Sequence, residues 1–228
     1  MNAISTFKYY TQLLKFKLST TVVFSAIIGY LLGTSKFDIT IFMLLIVGGF
    51  LITGAANGFN QILEREYDKL MERTAVRPLP MSRLTTLQAS IFSLIIGAVG
   101  IYLLNHINPQ GSFFGLMSKS GAFGLLSMCL YVFAYTPLKR KSPFAITVGA
   151  IPGAIPFLLG FVAATDDFGF AAGTLFAIQF FWQYPHFIAI AWVLDVEYTK
   201  AGFKMMIGGQ KGKYPAMIAV VAAIVMTV

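Results

Sequence analysis

The chain has 228 residues, of which 57% are hydrophobic and only 11% charged, and its mean hydropathy is +0.75. Soluble domains carry about 25% charged residues, so this composition excludes a soluble globular protein and indicates a membrane protein. The one cysteine, Cys129, excludes an internal disulfide, and the net charge of +8 does not indicate nucleic-acid binding because the basic residues lie in short segments between apolar runs.

Seven apolar runs predict an all-α fold, a polytopic bundle of transmembrane helices that forms a single membrane-embedded domain over residues 1–228. A span needs about 20 apolar residues to cross a hydrocarbon core of about 30 Å. The first run follows Lys15 and Lys17 and lacks a small-residue cleavage site, so we expect a retained helix, not a signal peptide. The seventh begins near Tyr214 and reaches residue 228, so we expect the chain to be truncated within that helix. The six complete runs lie at residues 18–33, 39–59, 84–104, 120–135, 144–164 and 171–194.

The basic residues predict the orientation of these helices. Segments 1–17, 60–83, 136–143 and 195–213 contain 15 of the 17 Lys and Arg residues. Because basic segments stay on the cytoplasmic side, this distribution predicts that the N-terminus and all four segments are cytoplasmic. The loop at residues 105–118 then lies on the outer side, and we expect it, with His106, to be a plain connection.

A polar row follows the second predicted span. Asn60, Glu64 and Asp68 are spaced four residues apart. On a helix they fall within about 80° of one face and rise about 12 Å, which gives two carboxylates and an amide on one side. These hard oxygen ligands suit Mg²⁺, which keeps some waters and shares its shell with substrate phosphates. The row therefore predicts a magnesium site, with Arg73 and Arg77 nearby as donors to phosphate oxygens.

The alternative interpretation is a solvated helix end with ion pairs, such as Glu64 with Arg65 and with Lys69. Eight charged residues lie between Glu64 and Arg77, which is compatible with that interpretation. We favour the functional site because the carboxylates continue an apolar helix. Ionisable groups are costly in that setting and usually have a function.

The same stretch resembles a known family. NQxxExxxD followed by RTxxRP resembles the first aspartate-rich motif of the UbiA superfamily of intramembrane prenyltransferases, whose common form is NDxxDxxxD. Gln61 and Glu64 depart from that form. Members of the superfamily have transmembrane helices beyond the seven predicted here, so the resemblance implies further C-terminal helices that close the lipid-facing side. The resemblance assigns metal and diphosphate binding to Asn60, Glu64 and Asp68, and diphosphate binding to Arg73 and Arg77.

Two later segments carry further candidate residues. The basic segment 135–143 reads YTPLKRKSP, and its charges alone suffice to fix orientation. Alternatively, Lys139 and Arg140 neutralise a diphosphate from the same side as the carboxylates. YxxxKR, which starts at Tyr135, also resembles a UbiA-family element. In the fifth span, Pro152 and Pro156 predict a kink or a break.

The segment 180–206 contains WxxPHF late in the sixth span. A single His in an apolar helix is more often packed than a ligand, but Pro185 opens the backbone beside His186, as happens where helices line a cavity. WxxPHF followed by D, E, Y and AGxxM resembles the protohaem IX farnesyltransferase branch of the superfamily, with a partial match to the second aspartate-rich motif. The resemblance assigns substrate binding to Tyr135, Trp182, His186, Asp195, Glu197, Lys200 and Lys204. Within this set it implies a porphyrin-side position for His186, a second Mg²⁺ or the diphosphate for Asp195 and Glu197, and phosphate contacts for Lys200 and Lys204.

This branch transfers a farnesyl group from farnesyl diphosphate to a vinyl group of haem B, giving haem O and diphosphate for haem-copper oxidases. The resemblance therefore implies Mg²⁺, both substrates, a bacterial-type inner membrane and a haem-delivery protein or haem A synthase as a partner. The farnesyl tail is expected in an apolar tunnel, and Trp182, Tyr135 and Tyr184 are candidates by type to stabilise a carbocation. Two alternatives stay open. One is a prenyltransferase for an aromatic or quinone precursor, and the other is a cation-coupled transporter.

Overall fold

A computed structural model describes residues 3–113 and 115–227, and most of this part of the chain is helical. A short hairpin, β1 (Ser112–Phe113) with β2 (Met117–Ser118), is the exception to the predicted all-α fold among these residues. The helices are α1 (Ala3–Leu13), α2 (Phe16–Gly33), α3 (Ile39–Asp68), α4 (Glu72–Ala75), α5 (Thr86–Asn105), α6 (Lys119–Cys129), α7 (Thr136–Leu138), α8 (Ala145–Thr165), α9 (Phe170–Val193), α10 (Asp195–Lys200) and α11 (Lys213–Thr227). A π-helix, Leu130–Tyr135, joins α6 to α7.

The predicted spans agree with the observed helices to within a few residues at most ends. Among the described residues, five helical stretches are long and apolar enough to cross a membrane: Phe16–Gly33, Ile39–Asp68, Thr86–Asn105, Lys119–Leu138 and Ala145–Thr165. The sixth predicted span is α9, which has 24 residues but includes polar side chains such as Gln183 and His186. The largest boundary error is at α3, because the helix continues nine residues beyond the predicted end at residue 59 and includes the whole polar row.

Helix α8 forms the centre of the bundle. In its most apolar stretch 61% of the residues are buried, against 28–33% in the other four candidate spans. Its contact with α2 is close because both helices place glycine there. A Cβ at Gly160 would lie 1.9 Å from the Ala26 carbonyl oxygen, and a Cβ at Gly29 would lie 2.2 Å from the Phe157 carbonyl oxygen. Small residues let transmembrane helices approach until their backbones touch.

The two prolines of α8 do not break the helix, which runs without interruption from Ala145 to Thr165. Proline has no N–H, so Pro156 cannot donate to the carbonyl of Pro152, four residues earlier. The Ser127 hydroxyl of α6 donates to that oxygen instead, at 3.3 Å. The neighbouring helix thus satisfies the freed carbonyl. Of the predicted kink or break, the break is wrong and the kink stays a prediction.

The four basic segments meet at one end of the bundle, which we call the polar end. It comprises the α1–α2 junction, the C-terminal part of α3 with residues 69–83, residues 136–143, and residues 195–213. The described residues of the loop 105–118 lie at the opposite end. There the Asn108 amide donates to the Ala163 carbonyl at 3.0 Å, and Lys119 pairs with Asp166 at 3.1 Å. The connection is more ordered than predicted, since it contains the hairpin and a 3₁₀ turn, Pro109–Gly111.

Candidate active site

The polar row of α3 faces the interior of the bundle. Asn60, Glu64 and Asp68 are 2%, 5% and 0% exposed. They continue a face on which Ala56 and Asn57 are also buried, so the packed side of the helix extends into the ionisable row. Burial at this level is costly for carboxylates without a positive partner. The predicted solvated helix end is therefore not what the structure contains at these positions.

Each of the three residues of this row contacts one cationic side chain. The Arg77 guanidinium donates to both carboxylate oxygens of Asp68, at 2.9 and 2.7 Å. Lys139 forms an ion pair with Glu64, and the two side chains are 12% and 7% exposed. The ammonium of Lys15 donates to the Asn60 amide oxygen at 3.2 Å. Three positive charges face two negative ones, which suits the binding of a polyanion.

Lys15 was missed as a site residue by the sequence analysis, which treated it as a topogenic charge. It lies at the junction of α1 and α2 with a left-handed backbone, φ 46°. Burial, followed by the positive charges of Arg77 and Lys139, lowers the pKa of the Lys15 ammonium to about 7. Its partner Asn60 is 45 residues away in the chain, and no spacing pattern connects the two.

Gln61, which departs from the common family motif, has a structural role here. Its amide nitrogen donates to the Leu13 carbonyl at 2.7 Å and so satisfies the C-terminal end of α1. The amide of Asn57 donates to the Ser19 hydroxyl at 3.2 Å. These two buried amides fix the α1–α2 junction against α3 and thereby place Lys15 beside Asn60.

The π-helix and α7 bring a second group of residues to the row. The hydroxyl of Thr136 accepts from the Asn60 amide nitrogen at 3.2 Å. One turn later, the Lys139 ammonium lies 5.0 Å from the centre of the Tyr135 ring and 5.3 Å from that of Phe203. Aromatic faces attract cations at such distances, so the two rings help to hold Lys139 in its pair with Glu64.

Arg73 and Arg140, both predicted as partners of the diphosphate, form no ion pair with the row among the residues that the structure describes. Arg73 is exposed on α4, and in the described part of the chain it forms no ion pair. Arg140 is also exposed, with its guanidinium 3.9 Å from the centre of the Tyr67 ring and donating to the Tyr67 hydroxyl. The exposed ion pairs of α3 are made by Glu66, with Arg65 at 3.2 Å and Lys69 at 2.7 Å, and not by Glu64.

The second acidic patch, on α10, is less tightly organised. Asp195 pairs with Lys211 at 3.6 Å, where the side chains are 35% and 39% exposed. An oxygen of Glu197 is buried and has no hydrogen-bond partner among the described residues. Nowhere in residues 3–113 and 115–227 do three or more Asp, Glu, His or Cys side chains form a group that could hold a metal. The structure therefore does not join Asp195 and Glu197 to the α3 row as one ligand set.

The two patches nevertheless approach each other through the backbone and through Tyr198. The Lys204 N–H donates to the Lys139 carbonyl at 2.7 Å, and Lys200 lies 3.6 Å from Glu72. Burial raises the pKa of the Tyr198 hydroxyl, the positive charge of Arg73 opposes that shift, and the negative charge of Glu64 adds to it. A cavity of about 380 Å³ lies beside α10, lined in part by Asp195, Tyr198, Phe203, Lys204 and Met205.

The WxxPHF residues lie on α9, away from the polar row. Trp182 and His186 stack with ring centres 4.7 Å apart, and both are exposed in the chain as described. Phe187 connects them to the site, since its ring lies 5.7 Å from both His186 and Tyr135. An apolar groove of about 220 Å³ lies beside this helix, between α9 and α11, where Phe181, Tyr184 and Met217 are among its lining residues.

The donor chemistry of the α3 row fits a magnesium ion that carries a diphosphate. Asn60, Glu64 and Asp68 offer hard oxygen atoms on one face, as Mg²⁺ requires. One carboxylate oxygen of Glu64 is buried, and although it faces the Lys139 ammonium it has no well-directed hydrogen bond within the described residues. The surrounding cations supply partners for the phosphate oxygens that would complete the metal shell.

Comparisons with known proteins show the family to which the chain belongs. The model of the UbiA prenyltransferase family matches residues 22–228. Protoheme IX farnesyltransferase of Flavobacterium psychrophilum is 46% identical over 216 residues, an alignment that covers 93% of this chain and 69% of that protein. The enzyme of the same name from Cytophaga hutchinsonii is 47% identical over 206 residues, covering 89% and 68%. This chain thus spans about two thirds of the length of these relatives.

Solved structures of the UbiA family have the same fold as this chain. A solved UbiA homolog from Archaeoglobus fulgidus bound to DMAPP and Mg²⁺ superimposes with a TM-score of 0.72 at 14% sequence identity, over 96% of this chain and 86% of that one. At that identity the likeness establishes the fold. Together with the match over residues 22–228, it shows that this multi-pass membrane protein belongs to the UbiA prenyltransferase family.

Proposed function

We propose that this protein transfers a farnesyl group from farnesyl diphosphate to a vinyl group of haem B, giving haem O and diphosphate. The observation that carries the proposal is the buried row of Asn60, Glu64 and Asp68, with one cation against each member. The 43–47% identity to four proteins named protoheme IX farnesyltransferase supports the choice of haem as the acceptor.

The chain's own charges suit the departure of a diphosphate. In the absence of substrate, Lys139 and Arg77 neutralise the carboxylates of Glu64 and Asp68. When the diphosphate binds, these cations and Lys15 turn to its oxygens and stabilise the negative charge that grows as the allylic C–O bond breaks. Preorganised donors in a water-poor site are worth more than in water, and losing one typically costs about 10²–10³-fold in rate.

We propose Asn60, Glu64 and Asp68 as the residues that hold Mg²⁺. When bound, the ion supplies positive charge that stabilises the leaving diphosphate and helps to orient it. The Archaeoglobus fulgidus homolog bound to DMAPP and Mg²⁺ has the same fold, which supports a metal-dependent prenyl diphosphate site in this family. Asp195 and Glu197 remain proposed contributors on the opposite side, with the buried oxygen of Glu197 as the supporting observation.

The proposed reaction balances as follows. The first carbon of the farnesyl group bonds to the terminal carbon of the haem vinyl group, and the electron pair of the broken C–O bond leaves with the diphosphate. Water adds its oxygen to the other vinyl carbon and a proton is released. Farnesyl and porphyrin are both apolar, so a site inside an apolar bundle keeps water away until that step. We assign His186, Trp182 and Tyr135 to the porphyrin side.

We further propose that the polar end faces the cytoplasm across a bacterial inner membrane, since this end carries 15 of the 17 basic residues. A haem-delivery protein or a haem A synthase is the proposed partner. The orientation is tested with the substitutions Glu66→Cys and Asp167→Cys, each made singly in a variant that lacks Cys129. A membrane-impermeant maleimide should label the cysteine at 167 in intact spheroplasts, and label that at 66 only after permeabilisation. The reverse pattern would refute the orientation.

The function is tested by incubating the purified protein with haem B, farnesyl diphosphate and Mg²⁺ and analysing the haem by mass spectrometry. A farnesylated hydroxyethyl haem with release of diphosphate is the expected product. Turnover with a hydroxybenzoate and none with haem would instead establish an aromatic prenyltransferase. Release of no diphosphate with either acceptor would refute the proposal and leave cation-coupled transport as the alternative.

A further inference from the structure

Thr136 belongs to a chain of hydrogen bonds that runs from Lys15 through Asn60 of the α3 row to the Tyr131 carbonyl. The Lys15 ammonium donates to the Asn60 oxygen at 3.2 Å, and the Asn60 nitrogen donates to the Thr136 hydroxyl at 3.2 Å. That hydroxyl donates in turn to the Tyr131 carbonyl at 2.8 Å. Asn60 and Thr136 are 2% and 3% exposed, so water cannot easily replace these partners.

This chain of donors permits one orientation of the Asn60 amide. A lysine ammonium has donors and no acceptor, so it must face the amide oxygen. A hydroxyl has one proton, and Thr136 gives it to the Tyr131 carbonyl, so the hydroxyl must accept from the amide nitrogen. The Asn60 nitrogen is thereby held away from the site, and the oxygen, which is the only metal-ligating atom of the side chain, is held on the side of the cations.

The π-helix explains why a hydroxyl stands at this position. In the wide turn of Leu130–Tyr135 the Thr136 N–H donates to the Tyr131 carbonyl five residues earlier. The Thr136 side chain donates to the same oxygen, so two bonds from one residue fix the hydroxyl. Single π-turns inside helices often occur at functional sites. Here the turn sets the register of Thr136 against Asn60 and of Lys139 against Glu64.

We propose that Thr136 is a positioning residue for the metal–diphosphate site, which it serves by presenting the Asn60 oxygen to the metal. This inference rests on the proposed function of the row as the metal site. It assigns no contact between Thr136 and the substrate. Residues that orient metal ligands from behind typically contribute about 10–100-fold to metal affinity or activity, although they touch neither metal nor substrate.

The test compares Thr136→Val, which keeps the shape but removes the hydroxyl, with Thr136→Ser, which keeps it. The first readout is binding of Mg²⁺ with inorganic diphosphate, measured by the rise in Tm of the purified protein. We expect Thr136→Val to need about tenfold more Mg²⁺ for the half-maximal rise, and Thr136→Ser to stay close to wild type. Thr174→Val, on α9, removes a hydroxyl that bonds only its own helix, and it should leave binding unchanged.

A double-mutant cycle separates positioning from a general structural effect. In an Asn60→Asp background both side-chain oxygens can face the metal, so no partner is needed to select one of them. Thr136→Val should then change the Mg²⁺ requirement by less than about twofold, because the two effects are coupled. An equal loss in both backgrounds, or no loss in either, would overturn the proposal. If Thr136→Val does not fold, Thr136→Ala replaces it in the same cycle.

The measurement of Mg²⁺ and diphosphate binding distinguishes a failure of the Thr136 inference from a failure of the proposed function. Farnesyl transfer to haem is the second readout, with the Mg²⁺ concentration for half-maximal turnover as the quantity compared. If wild-type protein binds Mg²⁺ and diphosphate but farnesylates no haem, the proposed function fails while the Thr136 cycle still gives its answer. If farnesyl transfer occurs and Thr136→Val has a wild-type Mg²⁺ requirement, the inference about Thr136 fails alone.

Discussion

The two acidic patches of the polar end differ in the burial of their carboxylates and in their ion pairs. On α3, Glu64 and Asp68 are buried, and each is paired with a cation, Lys139 for Glu64 and Arg77 for Asp68. On α10, Asp195 and Glu197 are partly exposed, and among the described residues these two acids form one ion pair, Asp195 with Lys211, at 3.6 Å. A fold keeps buried carboxylates only where their cost is offset by partners, so the α3 row is the preorganised half of the site and α10 the adaptable half.

The largest expected loss of turnover comes from replacing a carboxylate of the α3 row, and the same replacement on α10 should cost less. Asp68→Asn removes a negative charge while keeping the side-chain shape, so both the metal ligand and the partner of Arg77 are lost. We expect turnover to fall by about 10³-fold or more, while Asp195→Asn should reduce it by a smaller factor. Initial rates of haem farnesylation in reconstituted vesicles provide the measurement. Equal losses in the two variants would show that the patches share one role.

A second comparison concerns the arginines after the row. Arg77→Lys keeps the charge but loses the planar donor group that contacts both oxygens of Asp68, so we expect about a tenfold loss of kcat/KM. Arg73→Lys, on the exposed helix α4, is the matched control and should cost less than about threefold, because a point charge can serve a solvated contact. A larger loss at residue 73 than at 77 would contradict the geometry.

The pH dependence of anion binding reports on Lys15. Its pKa of about 7 lies below the ordinary value, so the ammonium loses its charge as the pH rises through 7. Because the charged form binds anions, metal-free affinity for diphosphate should fall between about pH 6 and 8, beyond the fall in a Lys15→Arg variant, which stays charged. Isothermal titration calorimetry at several pH values measures both curves. Parallel curves would show that Lys15 does not titrate in this range.

The smallest effect is expected at the exposed face of α3. Glu66 pairs with Arg65 and Lys69 where all three side chains are between 44% and 58% exposed. Solvent screens such exposed pairs and they contribute little to stability, so Glu66→Ala should leave turnover unchanged and move the Tm only slightly. A strong loss of turnover would indicate that the solvated face, and not the buried one, carries the function.

The sequence was sufficient for the helices and for the α3 row, because both depend on local patterns. Apolar run length predicted the spans, and the spacing of four predicted that Asn60, Glu64 and Asp68 share a face. Sequence failed where contacts are long-range. Lys15 and Thr136 lie 45 and 76 residues from Asn60, and neither stands in a recognisable motif with it. Pro152 and Pro156 do not break α8, and Ser127, on another helix, donates to the Pro152 carbonyl that Pro156 cannot reach.

The central claim is that the buried row of α3 binds the metal and its diphosphate. The most direct test is a structure of the protein with bound Mg²⁺ and farnesyl thiodiphosphate, which resists cleavage. The account predicts a metal held by oxygens of Asn60, Glu64 and Asp68, and the side chains of Arg77 and Lys139 turned from their carboxylates to the phosphates. A metal and diphosphate held by Asp195 and Glu197, with the Arg77–Asp68 pair intact, would contradict it.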